Sequence, residues 1–340
     1  ILNPNSKMPI RDLFNLRTAL LGEMRAETAV PDPFSVAGEA LTKFDFSDPS
    51  KLDEAGYDMQ ELTGEASGWN TTWKVTHRAS GQVFYVKNET LAHDYFSGPG
   101  ASGELEAATL IRAMELPGAY EARVSEVNKD IIIMTEAAAN LDLYNKPINA
   151  FKMNNYGIDT PNGGRYYGAQ DELLSKLKNV EDVMRMSIID IIMNNTDRHD
   201  NNWMVAFDKT DDSMIISPID HSLSRIPDNA DDFMRQLESS LSDEIAYSGD
   251  VYALMEQLSE RMGEERMQEL YNNEVSRLVT NLSNPLFMPK GRELQLIISN
   301  FGSYENFLAV VTGGLQEMTK PGTRLNNLFK QLAKAGFWRT

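Results

Sequence analysis

The chain contains no cysteine. Disulfides, thiolate metal sites and a cysteine nucleophile are thereby excluded, and no redox compartment is indicated. Histidine is scarce, with 4 in 340 residues and no H-x-x-x-H spacing, so a zinc site is not expected. No G-x-S-x-G elbow points to a serine nucleophile. Basic residues are in deficit: 32 Lys and Arg against 50 Asp and Glu give a net charge of −18 and a pI near 4.7. A surface of that sign repels nucleic-acid phosphates and anionic headgroups over a Debye length of about 8 Å at physiological salt. Neither nucleic acid nor an anionic membrane is expected as a bulk partner. No apolar run reaches the roughly 18 residues of a transmembrane helix. The opening ILNPNSKMPIRDLF has no basic stretch followed by an apolar one, so it is not read as a secretory signal. The expectation is a soluble, cytoplasmic protein, and the missing initiator Met leaves room for a fragment of something longer.

What is present suits a globular chain. With 41% hydrophobic and 24% charged residues there is material for a substantial core, in two or three ordinary domains or one large two-lobed one. Residues 1–58 read as an N-terminal extension and linker. A helix is expected over Arg11–Ala26, with Leu13, Leu16, Leu20 and Leu21 on one side. Pro31-Asp32-Pro33 ends it, and an acidic stretch with few apolar residues follows to Asp58. From Gln60 the pattern changes to strands, including Trp69–Thr76 and Gln82–Lys87. A helix from about Ser102 to Glu115 ends at Pro117-Gly118, and strands at Arg123–Val127 and Ile131–Thr135 complete a β-β-β-α-β-β order over residues 59–138. After Ala139 the chain reads as mostly helical to residue 340, interrupted by one strand pair.

That strand pair belongs to the most informative stretch, IIDIIMNNTDRHDNNWMVAFDKTDDSMIISPIDHSLSRI, from Ile188 to Ile226. An apolar helical run leads to Asp197, Asn202 follows, and two short strands deliver Asp220. Short oxygen-bearing residues at the ends of apolar elements are positioned and partly desolvated. A carboxylate to orient a nucleophile, plus an Asn and an Asp as oxygen ligands for Mg²⁺, is the inventory of phosphoryl transfer. The competing local reading is a helix C-terminus followed by an Asx-rich hairpin.

Other candidates are weaker singly. Lys87 ends an apolar strand and can point into a cleft, although such lysines are usually solvated. Glu104, sharing a helical face with Ala108 and Ile111, is the first choice of acidic partner for it. Glu106 is held in reserve, and both suit a helix N-terminus. Ser67 and Gly68, in a small-residue turn before a strand, can approach phosphate oxygens, but they form no standard phosphate loop. Glu136, Ala137 and Ala138 end a buried-looking strand and can present main-chain groups to an adenine edge.

The run Asn195-Thr196-Asp197-Arg198-His199-x-x-Asn202, followed by Ile219-Asp220-His221, resembles the catalytic and metal loops of atypical kinases. These are the phosphatidylinositol 3- and 4-kinases and the HipA-type Ser/Thr kinases; Asn202-Trp203 fits the type II phosphatidylinositol 4-kinases in particular. The resemblance spans about residues 60–330, with only the central stretch specific. It implies an α+β, two-lobed protein-kinase-like fold: a small β-rich lobe carrying one helix (59–138), a hinge near Ala137 and a larger, mainly helical lobe (139–340). It further implies a Mg-ATP-dependent phosphotransferase. Asp197 would be the catalytic acid, and Asn202 and Asp220 the Mg²⁺ ligands. Lys87 would contact the α/β phosphates and Glu104 would hold it. Ser67 and Gly68 would cover the phosphates, and Glu136, Ala137 and Ala138 would receive adenine. The acidic balance places protein Ser/Thr ahead of a lipid headgroup as acceptor. A nucleotide-binding pseudokinase and an AMP-transferase are the alternatives.

Overall fold

The structure, a computed structural model, describes residues 34–62, 72–88, 101–128, 130–139, 141–168, 170–195, 198–221, 225–242, 257–289 and 291–334. The expected helix over Arg11–Ala26 lies outside these residues.

The N-terminal part is built on an antiparallel sheet of five strands in the order β1-β2-β3-β5-β4. These are β1 (Tyr57–Leu62), β2 (Thr72–His77), β3 (Val83–Asn88), β4 (Ala122–Val124) and β5 (Ile131–Thr135). Alternation along a strand gives the sheet two faces. Pairing of Val75 with Phe84 and of Val86 with Ile133 sets one apolar face, which also carries Ile131. Tyr85, Lys87, Ile132 and Met134 share the other. The first face is covered by the segment beginning at Phe34, with helices α1 (Val36–Leu41) and α2 (Ser50–Glu54). Phe34, Leu41 and Leu52 are fully buried there. This stretch was expected as extension and linker. Its few apolar residues are spaced to meet one surface, so a low apolar density concealed a packed layer.

The second face is covered by α3 (Ala101–Ala113), whose residues from Gly103 onward are buried almost all round. Its outer side meets helices from the C-terminal part. The main-chain carbonyls at its end, left without intrahelical donors, accept from the side chains of Asn281 onto Ala113 (2.7 Å) and of Arg277 onto Met114.

The C-terminal part is mainly helical: α4 (Ala150–Tyr156), α5 (Gln170–Lys176), α6 (Glu181–Met193), α7 (Ala230–Ser242), α8 (Glu264–Leu282), α9 (Gly291–Phe301), α10 (Tyr304–Thr319) and α11 (Arg324–Lys334). Helix α6 is apolar on nearly every side and forms its central rod, buried throughout from Asp182 to Met193. The stretch 139–168 departs from the helical expectation. It holds only the short α4, the β7 (Ile158–Asp159)/β8 (Arg165–Tyr166) pair and a two-residue strand, β6 (Ile148–Asn149). Pro147, Pro161 and the glycines at 157, 163, 164 and 168 account for this, because each breaks helical continuity. The architecture is therefore α+β, an antiparallel sheet with one crossing helix followed by a mainly helical region, as the resemblance implied.

Candidate active site

The site begins where α6 stops. Asn194 adopts the left-handed conformation (φ 51°), which a non-glycine residue tolerates best when it is Asn or Asp. The chain then runs through a loop into β9 (Trp203–Phe207), turns, and returns as β10 (Met214–Pro218). Asp208 and Asp211 shape the turn by accepting from the amides of Thr210 (2.8 Å) and Ser213 (2.9 Å). The antiparallel register sets Trp203 opposite Pro218. Residues 202 and 219 are thus neighbours at the open end, and the Ile219 amide donates to the Asn202 carbonyl at 3.0 Å. The next residue, Asp220, is left-handed (φ 60°) and half-exposed. Such a conformation is uncommon outside turns and is held here by the surrounding structure.

Lys87 reaches the same place from the sheet. Strand alternation turns it toward α3, where its ammonium lies 2.7 Å from Glu104 Oε1 and 3.0 Å from Asp220 Oδ1. Glu104 is fully buried, and its second oxygen, Oε2, accepts from the Tyr120 hydroxyl at 2.8 Å. Burial, followed by the adjacent Glu104 carboxylate, holds the Tyr120 phenol well above its ordinary pKa, so it donates at any working pH. The open choice between glutamates is resolved by these contacts. Glu106 faces elsewhere, accepting the Ile226 amide at 2.8 Å, and burial pushes its pKa up to about 7.

Asp197, Ser67 and Gly68 lie outside the described residues. Glu136, Ala137 and Ala138 lie just past β5, which stops at Thr135. The Glu136 amide is bonded to the Val83 carbonyl (3.1 Å) and the Ala138 amide to the Gly118 carbonyl (3.1 Å). Asn202 is buried at the foot of the hairpin. The structure therefore brings Lys87, Glu104 and Asp220 into direct contact and sets Asn202 beside Ile219, next to Asp220.

Beneath them is a group that motif reasoning passed over. Arg198 and Asp190 are both fully buried, with guanidinium–carboxylate contacts of 2.9 and 3.0 Å. The same guanidinium donates to the carbonyls of Asn202 and Ile219 (2.8 Å) and to His221 Nε2 (3.2 Å). Burial and this neighbouring cation push His221 down to about 3, so its ring is the neutral acceptor. Asn195 closes the loop by donating its side-chain amide to Asp190 Oδ1 at 3.0 Å. A signal for this clamp exists in the sequence. Asp190 is the one charged residue in an otherwise apolar run, and a buried carboxylate needs a partner. Tyr120 carries no comparable local signal, since only the fold brings it to Glu104.

The sequence profile of the family Phosphatidylinositol 3- and 4-kinase matches residues 165–285. Among solved structures the chain is similar to a Helicobacter pylori proinflammatory kinase, CtkA, at 12% identity and a TM-score of 0.38, covering 77% of this chain and 97% of that one. No curated protein matches it. The matched span of the profile contains the whole loop-and-hairpin unit with Arg198, Asn202 and Asp220. Residues 165–285 are thus similar to a phosphatidylinositol 3- and 4-kinase domain, which indicates an ATP-dependent kinase.

Proposed function

We propose that the chain transfers the γ-phosphoryl group of ATP to a hydroxyl, with Ser or Thr of a protein as the first acceptor class. The observation that carries this reading is the Lys87 ammonium suspended between the buried Glu104 and the half-exposed Asp220. An ammonium fixed by a buried carboxylate at a cleft is suited to nucleotide phosphates. In this reading Lys87 meets the α/β phosphates and Glu104 holds it there. Ser67 and Gly68 cover the phosphates, and Asp197 orients the attacking hydroxyl and accepts its proton. The adenine edge falls to Glu136–Ala138. The Ala137 amide is the best donor of the three, because the amides on either side are already bonded.

A kinase of this superfamily uses ATP and usually Mg²⁺. The residues suit that ion: Asn202 and Asp220 offer hard oxygen donors, and Mg²⁺ commonly takes one or two protein ligands with water and phosphate oxygens completing its shell. When bound, the ion neutralises charge on the phosphates. The chain's own part is to hold these two side chains in register through the Arg198 clamp and the β9/β10 pairing.

The net charge of −18 favours a protein acceptor over an anionic lipid surface. A lipid acceptor is the second reading, favoured by the description of the matched profile. Incubation with γ- and α-labelled ATP, with a mixed protein substrate and separately with phosphatidylinositol vesicles, distinguishes them. The γ label is expected on Ser or Thr of protein, and label confined to lipid overturns that choice. The α label on protein would instead mark AMP transfer, and no label at all would mark an inactive nucleotide binder. Asp197→Ala is expected to lower transfer by about a hundredfold or more while nucleotide still binds. Unchanged turnover would remove the role given to Asp197.

A further inference from the structure

We infer that Tyr120 is a positioning residue for phosphate binding, fixing the Glu104 carboxylate so that it, and not Asp220, keeps hold of Lys87. This rests on the reading of Lys87 given above.

Lys87 is shared between two carboxylates at nearly equal distances, 2.7 Å to Glu104 and 3.0 Å to Asp220. Which of them holds it more firmly decides how freely Asp220 can serve another cation. A carboxylate with one donor can rotate about its last torsion, and the long lysine stem can follow it. Glu104 is denied that freedom because Tyr120 donates to its other oxygen at 2.8 Å. Both partners are buried, Tyr120 at 3% exposure and Glu104 at 0%. In such surroundings a hydrogen bond to a charged acceptor is stronger than in water.

The phenol is itself fixed at its backbone. Tyr120 belongs to the connection between α3 and β4, and the Gly118 carbonyl in that connection accepts from Ser217 on β10 and from the Ala138 amide. Ser217 lies three residues before Asp220 on the chain. The support for Glu104 is thus registered against both the strand that delivers Asp220 and the end of β5. Without the hydroxyl, Glu104 becomes a poorer holder of Lys87. The ammonium then shifts toward Asp220, and an oxygen proposed for the metal is occupied by the protein's own cation.

The test is a double-mutant cycle on nucleotide affinity. Calorimetric titration of the full chain with Mg-ADP is run on wild type, Tyr120→Phe, Lys87→Ala and the double variant. Tyr120→Phe is expected to weaken binding about tenfold when Lys87 is present, the scale of a hydrogen bond to a charged group. It should also raise the Mg²⁺ concentration needed for half-maximal binding. In the Lys87→Ala background it should change affinity little. Tyr271→Phe, which removes a comparable buried hydroxyl contact with Ser187 (3.3 Å) in the helical part, should lower the melting temperature without altering affinity. Equal weakening by Tyr120→Phe in both backgrounds would mean a merely structural role and overturn the inference, as would wild-type affinity in Tyr120→Phe. Wild-type affinity in Lys87→Ala would instead overturn the underlying reading of Lys87, and the inference with it.

Discussion

At the scale of single residues, two glutamates on one helix have opposite surroundings. Glu104 faces an ammonium and a phenol, whereas Glu106 faces a main-chain amide and, at 3.5 Å, the Asn300 side chain. Burial raises the Glu106 carboxyl from its ordinary 4.5 to about 7, with the Ile226 amide and Asn300 opposing that rise. In the folded chain it therefore keeps a proton that the unfolded chain releases above pH 4.5. Its contribution to stability is fully present below that value and is lost as pH rises toward about 7. Glu106→Gln carries no such loss and keeps an oxygen for Ile226. Its stability relative to wild type should climb across this window and level off above it, by on the order of 3 kcal/mol. Urea unfolding of both proteins at several pH values reads this directly, and a flat difference would contradict it. The sequence ranked Glu104 ahead of Glu106, but on a ground that does not distinguish them. Helical periodicity put Glu104 on a packed side, but α3 is covered all round, so Glu106 is equally buried. Only their partners, distant in the chain, tell them apart.

At the scale of elements, the β9/β10 hairpin was legible almost to the residue, because apolar alternation and Asx turn chemistry are both local. The neighbouring clamp was legible only in part: the lone charge of Asp190 on α6 signals that a partner is needed, but which partner depends on where the following loop folds back. That dependence is measurable. Arg198→Met leaves a fully buried carboxylate without its cation and should cost at least about 3 kcal/mol. Asp190→Leu combined with Arg198→Met removes the stranded charge and should recover much of that stability. Activity should not return with it, because the carbonyls of Asn202 and Ile219 still lack their shared donor. Denaturant midpoints and phosphoryl-transfer rates on the single and double variants separate the two effects. The helices from Val36 to Glu54 were illegible for a different reason: a short segment with three or four buried apolar residues looks like a linker until the surface it covers is known.

At the scale of the whole molecule, the sheet and the C-terminal helices meet on α3. Asn281 and Arg277 hold its last carbonyls, and Glu293 on α9 accepts the Val124 amide of the sheet at 3.4 Å. Helix α3 is buried almost all round by these contacts, and no helix among the described residues is long and apolar enough to cross a membrane. Amides of residues 105–113 should therefore exchange with solvent only when the whole chain unfolds. Their opening free energies in native-state hydrogen exchange should match the global value from denaturant unfolding. Protection clearly below that of β2 and β3 would count against this. The order of elements along the chain was readable from periodicity and turns. The wrapping of late helices around an early one was not, because each amphipathic stripe specifies that it must be covered and leaves open by what.

That encasement has a kinetic meaning. A glutamate on a helix with a free outer side can swing in and out, giving an enzyme a resting state that an activator must correct. Here the outer side of α3 is filled by segments synthesised more than a hundred residues later. Glu104 is therefore walled in by chain distant in sequence, and an outward swing would require those later helices to move. The Lys87–Glu104 pair is thus held as firmly as the packing around α3, and loosening that packing should loosen the pair.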